Sequence, residues 1–283
     1  MLEAGTTTAE VKSGYGLTPG DELKMLRAIA RLQAMQPIGL VPTFLGAHEV
    51  PPEFRHDPPA YVELVASDMV PAVAAAGLAE SCDVFCEGGA FTVEQSRVVL
   101  AAARRAGLAT RVHADELSAS GGARLAAEVG ARSADHLVFV TREGARALAA
   151  AGTVATLLPA AAFYLKLGRF APARLLIDEG VAVALGTDFN PGPGLAVSMP
   201  FVLTLACFGM ALTLDESLVA ATINAAYALN RHDRLGSLEV GKQFDAVVLH
   251  GPLDVLLQGG AAPVRQVIKS GRIVCESRRA SAG

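Results

Sequence analysis

An α/β fold is predicted for this chain: a TIM-type (β/α)8 barrel lacking its first strand, followed by part of a small β-sandwich subdomain. Three observations predict it. Strand-like segments alternate with helix-like ones seven times in succession, which calls for a parallel sheet and favours a closed barrel over a doubly wound sheet. No GxGxxG follows the first strand, which counts against a dinucleotide-binding domain. From about residue 234 the alternation stops and Gly-punctuated, hairpin-like stretches replace it.

The β-rich GTTTAEVKSGYG leads into a helix over 20–35, and IGLVPTFLGAHEV reads as a strand followed by a Pro-rich loop. A helix over 60–76 precedes the strand CDVFCEG, and another over 92–106 precedes TRVHADE. Helices over 119–129 and 141–151 flank the strand SADHL, and TVATLLP leads through a loop to a helix over 171–179. VAVALGTDFNPG closes the series, with apolar helices over 198–210 and 214–229 behind it. The expected division is a barrel over 1–233, holding strands 2 to 8, and a β-sandwich part over 234–283, in which LGSLEVGKQFDAVVLHG and VRQVIKSGRIV read as hairpins. Seven units where a barrel needs eight, with the first beginning almost at Met1, predict a strand before residue 1.

With 283 residues, 52% hydrophobic and 18% charged, the chain can bury a large core. A net charge of −4 from 24 basic and 28 acidic residues, without a basic stripe, gives no footprint for nucleic acid. Mean hydropathy is +0.39, yet Gly, Pro or charge breaks every apolar run short of a membrane span. MLEAGTTTAE has neither the basic nor the apolar region of a secretory leader, so a cytoplasmic protein is expected. Cys82 and Cys86 share a strand face without a second Cys/His pair at zinc spacing, so buried reduced thiols are expected rather than metal ligands. SMPFVLTLACFGMAL reads as a buried helix, a homodimer contact being the other reading.

Active sites of such barrels lie at the carboxyl ends of the strands, which selects residues without reference to any family. His48, His113 and His136 fall at or just past predicted strand ends, Glu116 follows His113 by three residues, and Asp188 follows the last strand. His56, His232 and His250 fall in loops or the tail and receive no role. Any one histidine after a strand is as readily a hydrogen-bonded structural residue; His113, His136 and Asp188 on three strands together suit a Zn or Fe site. Such a metal lowers the pKa of bound water to about 7, and Asp188 is placed to move a proton to a leaving nitrogen. DFNPGPG is either a rigid connector or a loop presenting N–H groups to an anionic substrate. Lys12 and Tyr15 stand at the end of the first strand, where Tyr15 either donates its phenolic proton to a substrate or packs at the mouth.

EVKSGYGL, PTFLGAHEVPPEF, VHADE, SADHL and GTDFNPG, in this order, resemble the imidazolonepropionase family of the amidohydrolase superfamily, and GSLEVGKQFDAVVL resembles that superfamily's closing segment. The resemblance spans essentially the whole chain. It implies hydrolysis of the cyclic amide 4-imidazolone-5-propanoate to N-formimino-L-glutamate in histidine degradation, by metal-bound hydroxide, with one divalent ion, Zn or Fe. By the same resemblance His113 and Asp188 are metal ligands, and His136 polarises or deprotonates near the metal-bound water. Glu116 would contact the substrate or its attacking water, Tyr15 and His48 match substrate-binding positions, and Asn190 and Gly192 match the loop holding the polar groups.

Two departures stand out. Pro193 follows NPG where the family has Ser or Thr, removing a hydroxyl and a backbone donor. The family's HxH pair on the first barrel strand, the arginine after it and the first half of the β-sandwich have no counterpart in this sequence. The sequence therefore reads as an N-terminally shortened member, inactive alone because two ligands are missing. A non-catalytic barrel that binds a small molecule, and a related cyclic amidohydrolase or deaminase, are the alternatives.

Overall fold

A computed structural model of the chain describes residues 1–192, 194–259 and 262–277. The strands β1 (Thr8–Lys12), β2 (Gly39–Ala47), β3 (Ser81–Cys86), β4 (Ala109–Ala114), β5 (Ser133–His136), β6 (Val154–Leu157) and β7 (Val183–Leu185) form one sheet in sequence order. Every neighbouring pair in it is parallel. A helix follows each strand, and helices pack on the sheet, Pro19–Met35 on β2, Val93–Arg105 on β3 and Gly122–Glu128 on β4.

The sheet is curled into a half-barrel, and side-chain contacts prove the curl. Lys12 on β1 reaches Asp135 on β5 at 3.0 Å. In a flat sheet four inter-strand steps of about 4.8 Å would separate those strands by about 19 Å, well beyond a lysine's reach. Among the described residues β1 and β7 each pair along one edge only. Asn224 Nδ2 donates to the Val183 carbonyl at 2.8 Å, satisfying a group that the unpaired edge of β7 leaves open.

Alternation within the strands decides where the apolar core lies. Cys82, Val84, Val112, Ala114 and Ala134 point outward and join Leu26, Tyr61, Val99, Leu100 and Leu125 from the helices in one cluster. Inward positions hold a polar set: Glu10, Lys12, Thr43, Asp83, Arg111, Ser133 and Asp135 contact one another inside the curl. The main core is therefore sandwiched between sheet and helices. The barrel interior is an ion-pair network.

Local signals account for most element ends. Thr18, Asp57, Thr92, Thr141, Ser198 and Thr213 each accept a backbone N–H at a helix start. Thr92–Gln95 and Thr213–Glu216 complete capping boxes. The helix expected over 60–76 runs from Pro58 to Ala76 with a π-helical stretch, Val65–Met69, in its middle. The segment expected over 119–129 becomes helical only at Gly122, because Gly121 ahead of it is left-handed at φ 88°. The loop between β6 and the next expected helix contains a further helix, Pro159–Tyr164.

A second, antiparallel sheet holds β8 (Ala246–Leu249), β9 (Val264–Lys269) and β10 (Arg272–Glu276) in the order β10-β9-β8. VRQVIKSGRIV is a hairpin turned at Ser270 and Gly271, both left-handed, as a two-residue turn requires. LGSLEVGKQFDAVVLHG supplies one strand rather than the expected hairpin. Its first half is bent by contacts among Ser237, Glu239 and Lys242. Among the described residues no helix is long and apolar enough to cross a membrane. Within SMPFVLTLACFGMAL, Val202, Leu203 and Ala206 are buried while Phe208 is 78% exposed, so one face of the helix is core and the other is open.

Candidate active site

The selected residues converge on the carboxyl ends of the strands. His113 is the penultimate residue of β4 and His136 the last of β5, while His48 directly follows β2. Asp115, His136, Leu137 and Asp188 all have positive φ, between 50° and 73°. Such conformations cost energy for residues other than glycine and are retained where the surroundings enforce them. The turns after β4, β5 and β7 are thus sharp; Asp115 turns onto the N–H groups of Gly121, Gly122 and Ala123, and Leu137 packs into the main core.

A row of rings crosses that mouth. Tyr15 meets His48 edge-on at 5.1 Å between centroids, His48 lies 6.0 Å from Phe85, Phe85 5.8 Å from His113, and His113 5.1 Å from His136. Glu116 Oε1 stands 3.4 Å from His136 Nδ1. His48 Nδ1 is 2.9 Å from the Gly14 carbonyl, which makes that nitrogen the N–H donor and leaves Nε2 an acceptor.

Burial separates the protonation states of these groups. It holds His136 neutral, down at about 3, aided by the charge of His113. His113 is equally buried, yet the Asp83 carboxylate raises it to about 9. Burial pushes Glu116 up to about 7 against the pull of His113, and raises Asp188 as well. Tyr15 is raised by partial burial and by the negative charge of Asp188, and His48 is lowered mainly by burial. Neighbours shifted in opposite directions in one cleft mark a candidate acid–base site.

Asn190 and Gly192 are brought together differently. Asn190 Nδ2 donates to the Asp188 carbonyl at 2.9 Å, while its Oδ1 accepts from Gly192 N–H at 2.9 Å and Gly194 N–H at 3.3 Å. In this arrangement the loop's N–H groups are turned onto Asn190, which organises the chain beside Asp188. Pro193 lies outside the described residues.

Several residues at the site escape sequence reasoning. Asp83, His113 and Asp135 offer ligand atoms all within 4.8 Å of one another. Lys12 Nζ already stands 2.5 Å from Asp83 and 3.0 Å from Asp135, so an ammonium supplies the positive charge there. Burial alone would raise the Asp83 carboxyl, but His113 and Lys12 hold it well below the carboxylate range. The available signal was an acid at an inward position of an apolar strand, in SCDVFC and SADH. Glu87, also missed, accepts from Leu117 N–H at 2.9 Å and shapes the turn after Glu116. Cys82 and Cys86 are free and buried, on the outward face of β3. Of the remaining histidines, His232 packs on Tyr227 and His250 Nε2 faces Ser277 Oγ, far from the mouth in sequence and contacts.

Imidazole nitrogens and carboxylate oxygens are the donors that Zn or Fe takes. His113 Nδ1 is buried without an aligned hydrogen-bond partner, although Asp83 Oδ2 lies 2.9 Å away. His113, His136 and Asp188 carry such donors, while among the described residues the group whose ligand atoms lie within 4.8 Å of one another is Asp83, His113 and Asp135.

A family model described as the amidohydrolase family matches residues 1–274. The chain belongs to the amidohydrolase family. Within it, this amidohydrolase is 48% identical over 281 residues to the imidazolonepropionase of Alkaliphilus metalliredigens, covering 99% of this chain and 67% of that protein. It is 50% identical over 276 residues to the imidazolonepropionase of Geobacillus kaustophilus, covering 97% and 65%. The amidohydrolase chain thus spans about two thirds of the length of these curated relatives. Its fold matches E. coli guanine deaminase with a TM-score of 0.73 at 17% identity, covering 98% of this chain and 71% of the other. An adenosine deaminase from Xanthomonas campestris with bound zinc matches with a TM-score of 0.71 at 21% identity, covering 96% and 66%.

Proposed function

We propose that this site belongs to an imidazolonepropionase, which hydrolyses the ring amide of 4-imidazolone-5-propanoate to N-formimino-L-glutamate in histidine degradation. The observation that carries the reading is the His113–His136 ring pair, 5.1 Å apart, with Glu116 3.4 Å from His136, in a chain about half identical to proteins of that name. One divalent ion, Zn or Fe, would be held by His113 and Asp188. When bound it supplies Lewis acidity, polarising the ring carbonyl and making water more acidic.

The protein's own groups divide the remaining work. Glu116, poised at about 7, takes a proton from the attacking water, whose oxygen joins the carbonyl carbon. The ring C–N bond then breaks, and the leaving nitrogen receives a proton from Glu116 or Asp188. His136, neutral at working pH, donates a hydrogen bond from its ring N–H to the carbonyl oxygen without carrying charge. Tyr15 presents a protonated phenol, and His48 Nε2 an acceptor that suits a ring N–H. Asn190 and Gly192, hydrogen-bonded to each other, hold the loop that borders the propanoate end at the edge of Asp188. In this reading residues 1–233 form the barrel and the tail beyond it a separate β unit.

The test incubates the purified protein with Zn or Fe and 4-imidazolone-5-propanoate and follows N-formimino-L-glutamate. Product that disappears in His113→Asn and Asp188→Asn supports the reading and overturns the expectation that the chain is inactive alone. Opening of a different cyclic amide or deamination, with this substrate untouched, overturns it. A second reading, a barrel that binds the ring without opening it, is favoured by the Lys12 ammonium, which neutralises the acidic pair Asp83 and Asp135 and withholds it from a metal. Saturable binding without product selects it.

A further inference from the structure

The KSGYGL loop that follows β1 closes around a buried carboxylate of its own chain. Glu22, on the first helix (Pro19–Met35), is fully buried, and its two oxygens receive four contacts from the backbone of that loop. Gly14 N–H donates to Oε2 at 3.0 Å and Oε1 at 3.2 Å, Gly16 N–H to Oε1 at 2.8 Å, and Leu17 N–H to Oε1 at 2.9 Å. Successive N–H groups wrapped round one anion form a nest, and hydrogen bonds to an ionised acceptor are about twice as strong as neutral ones.

The loop's residues are those the nest requires. Gly14 sits at φ 105° and Leu17 at 55°, and a Cβ on Gly14 would meet the Leu45 carbonyl at 2.8 Å. A Cβ on Gly16 would meet the backbone of Asp21 and Glu22 at 2.7 Å. From the other side the Tyr61 hydroxyl faces the Leu17 carbonyl at 3.2 Å and the Gly46 carbonyl at 2.8 Å, tying the loop to the end of β2. The side chain at the apex of the turn is Tyr15, which is 48% exposed.

We infer that Glu22 is a positioning residue for the Tyr15–His48 pair. Its carboxylate orders the loop so that the Gly14 carbonyl receives His48 Nδ1–H at 2.9 Å and Tyr15 lies edge-on to the same ring at 5.1 Å. Glu22 touches neither ring. It acts through the backbone between them, setting the donor and the acceptor that the substrate ring meets. The substrate part of this inference rests on the function proposed above; the ring geometry does not.

The experiment compares the full chain with Glu22→Gln and Tyr61→Phe by NMR, following the Gly14, Gly16 and Leu17 amides and the cross-relaxation between the Tyr15 and His48 rings. Glu22→Gln should shift all three amide protons upfield, abolish the ring contact and weaken binding of 4-imidazolone-5-propanoate about tenfold, the scale of a lost preorganised contact. Tyr61→Phe, which keeps the nest, should loosen the Leu17 side of the loop and weaken the ring contact while leaving the Gly14 and Gly16 amides in place. A folded Glu22→Gln protein that retains the ring contact overturns the inference, whether or not the amides move. Wild-type protein that shows the ring contact but binds no substrate counts against the proposed function and leaves the positioning result standing.

Discussion

The Asp83 carboxylate joins Lys12 to His113: its Oδ2 lies 2.5 Å from the lysine ammonium and 2.9 Å from the histidine Nδ1. A residue at the end of the first strand is thus connected, through the third, to a candidate ligand on the fourth. The same ammonium reaches Asp135 and Glu10, so the barrel interior and the site are one electrostatic unit.

That unit makes Lys12 the most sensitive interior position. Lys12→Met leaves the buried Asp83 and Asp135 without their cation and should destabilise the fold by about 3–5 kcal/mol in urea unfolding. Adding Asp83→Asn should recover part of the loss, a coupling read from a double-mutant cycle. Additive losses would show that the pair is not coupled.

Metal affinity should separate the residues around His113. His113→Asn removes a donor and should abolish tight Zn binding in competition with a chromophoric chelator. Asp83→Asn touches only the donor's neighbour and should weaken binding about 10–100-fold. Equal affinities for Asp83→Asn and wild type would place the metal away from His113.

His136 gives stability a defined pH dependence. Its folded pKa of about 3 lies below the unfolded 6.5, because burial disfavours the imidazolium. The protonated form is therefore favoured by unfolding. The contribution is complete above pH 6.5 and is lost as pH falls through the interval down to about 3. His136→Gln should flatten the decline in unfolding free energy between pH 6.5 and pH 4, measured by urea titration at each pH. An unchanged slope would assign that loss elsewhere.

Glu116 behaves in the opposite sense. Its folded pKa of about 7 exceeds the ordinary 4.5, so its protonated form is stabilised by folding and that contribution is lost as pH rises from 4.5 through 7. Infrared titration should show one protonated carboxyl band disappearing near pH 7 and absent in Glu116→Gln. If the band persists in the variant, another acid carries the proton.

Much of this was legible in the chain because it depends on local periodicity. Seven βα units, the Ser/Thr/Asp caps and the placement of His48, His113, His136 and Asp188 at strand ends all follow from patterns within about twenty residues. The extra helix Pro159–Tyr164 was hidden because a six-residue helix of mostly Ala is too short to display a period. LGSLEVGKQF alternates like a strand without forming one, because alternating side chains are also found where local Ser–Glu–Lys contacts bend the backbone.

By itself the sequence determined the order of the elements, the parallel sheet and the position of His48, His113, His136 and Asp188 at strand ends. Only the tertiary structure decided that Lys12 and Asp135, 123 residues apart, would pair across the curl. It also decided that Glu22 would fill the nest of the KSGYGL loop, and that Glu116 and His136 would titrate in opposite directions. The reason is physical: helix and strand periods are properties of neighbouring residues, whereas ion pairing and desolvation depend on which distant groups the closed fold brings within a few ångströms.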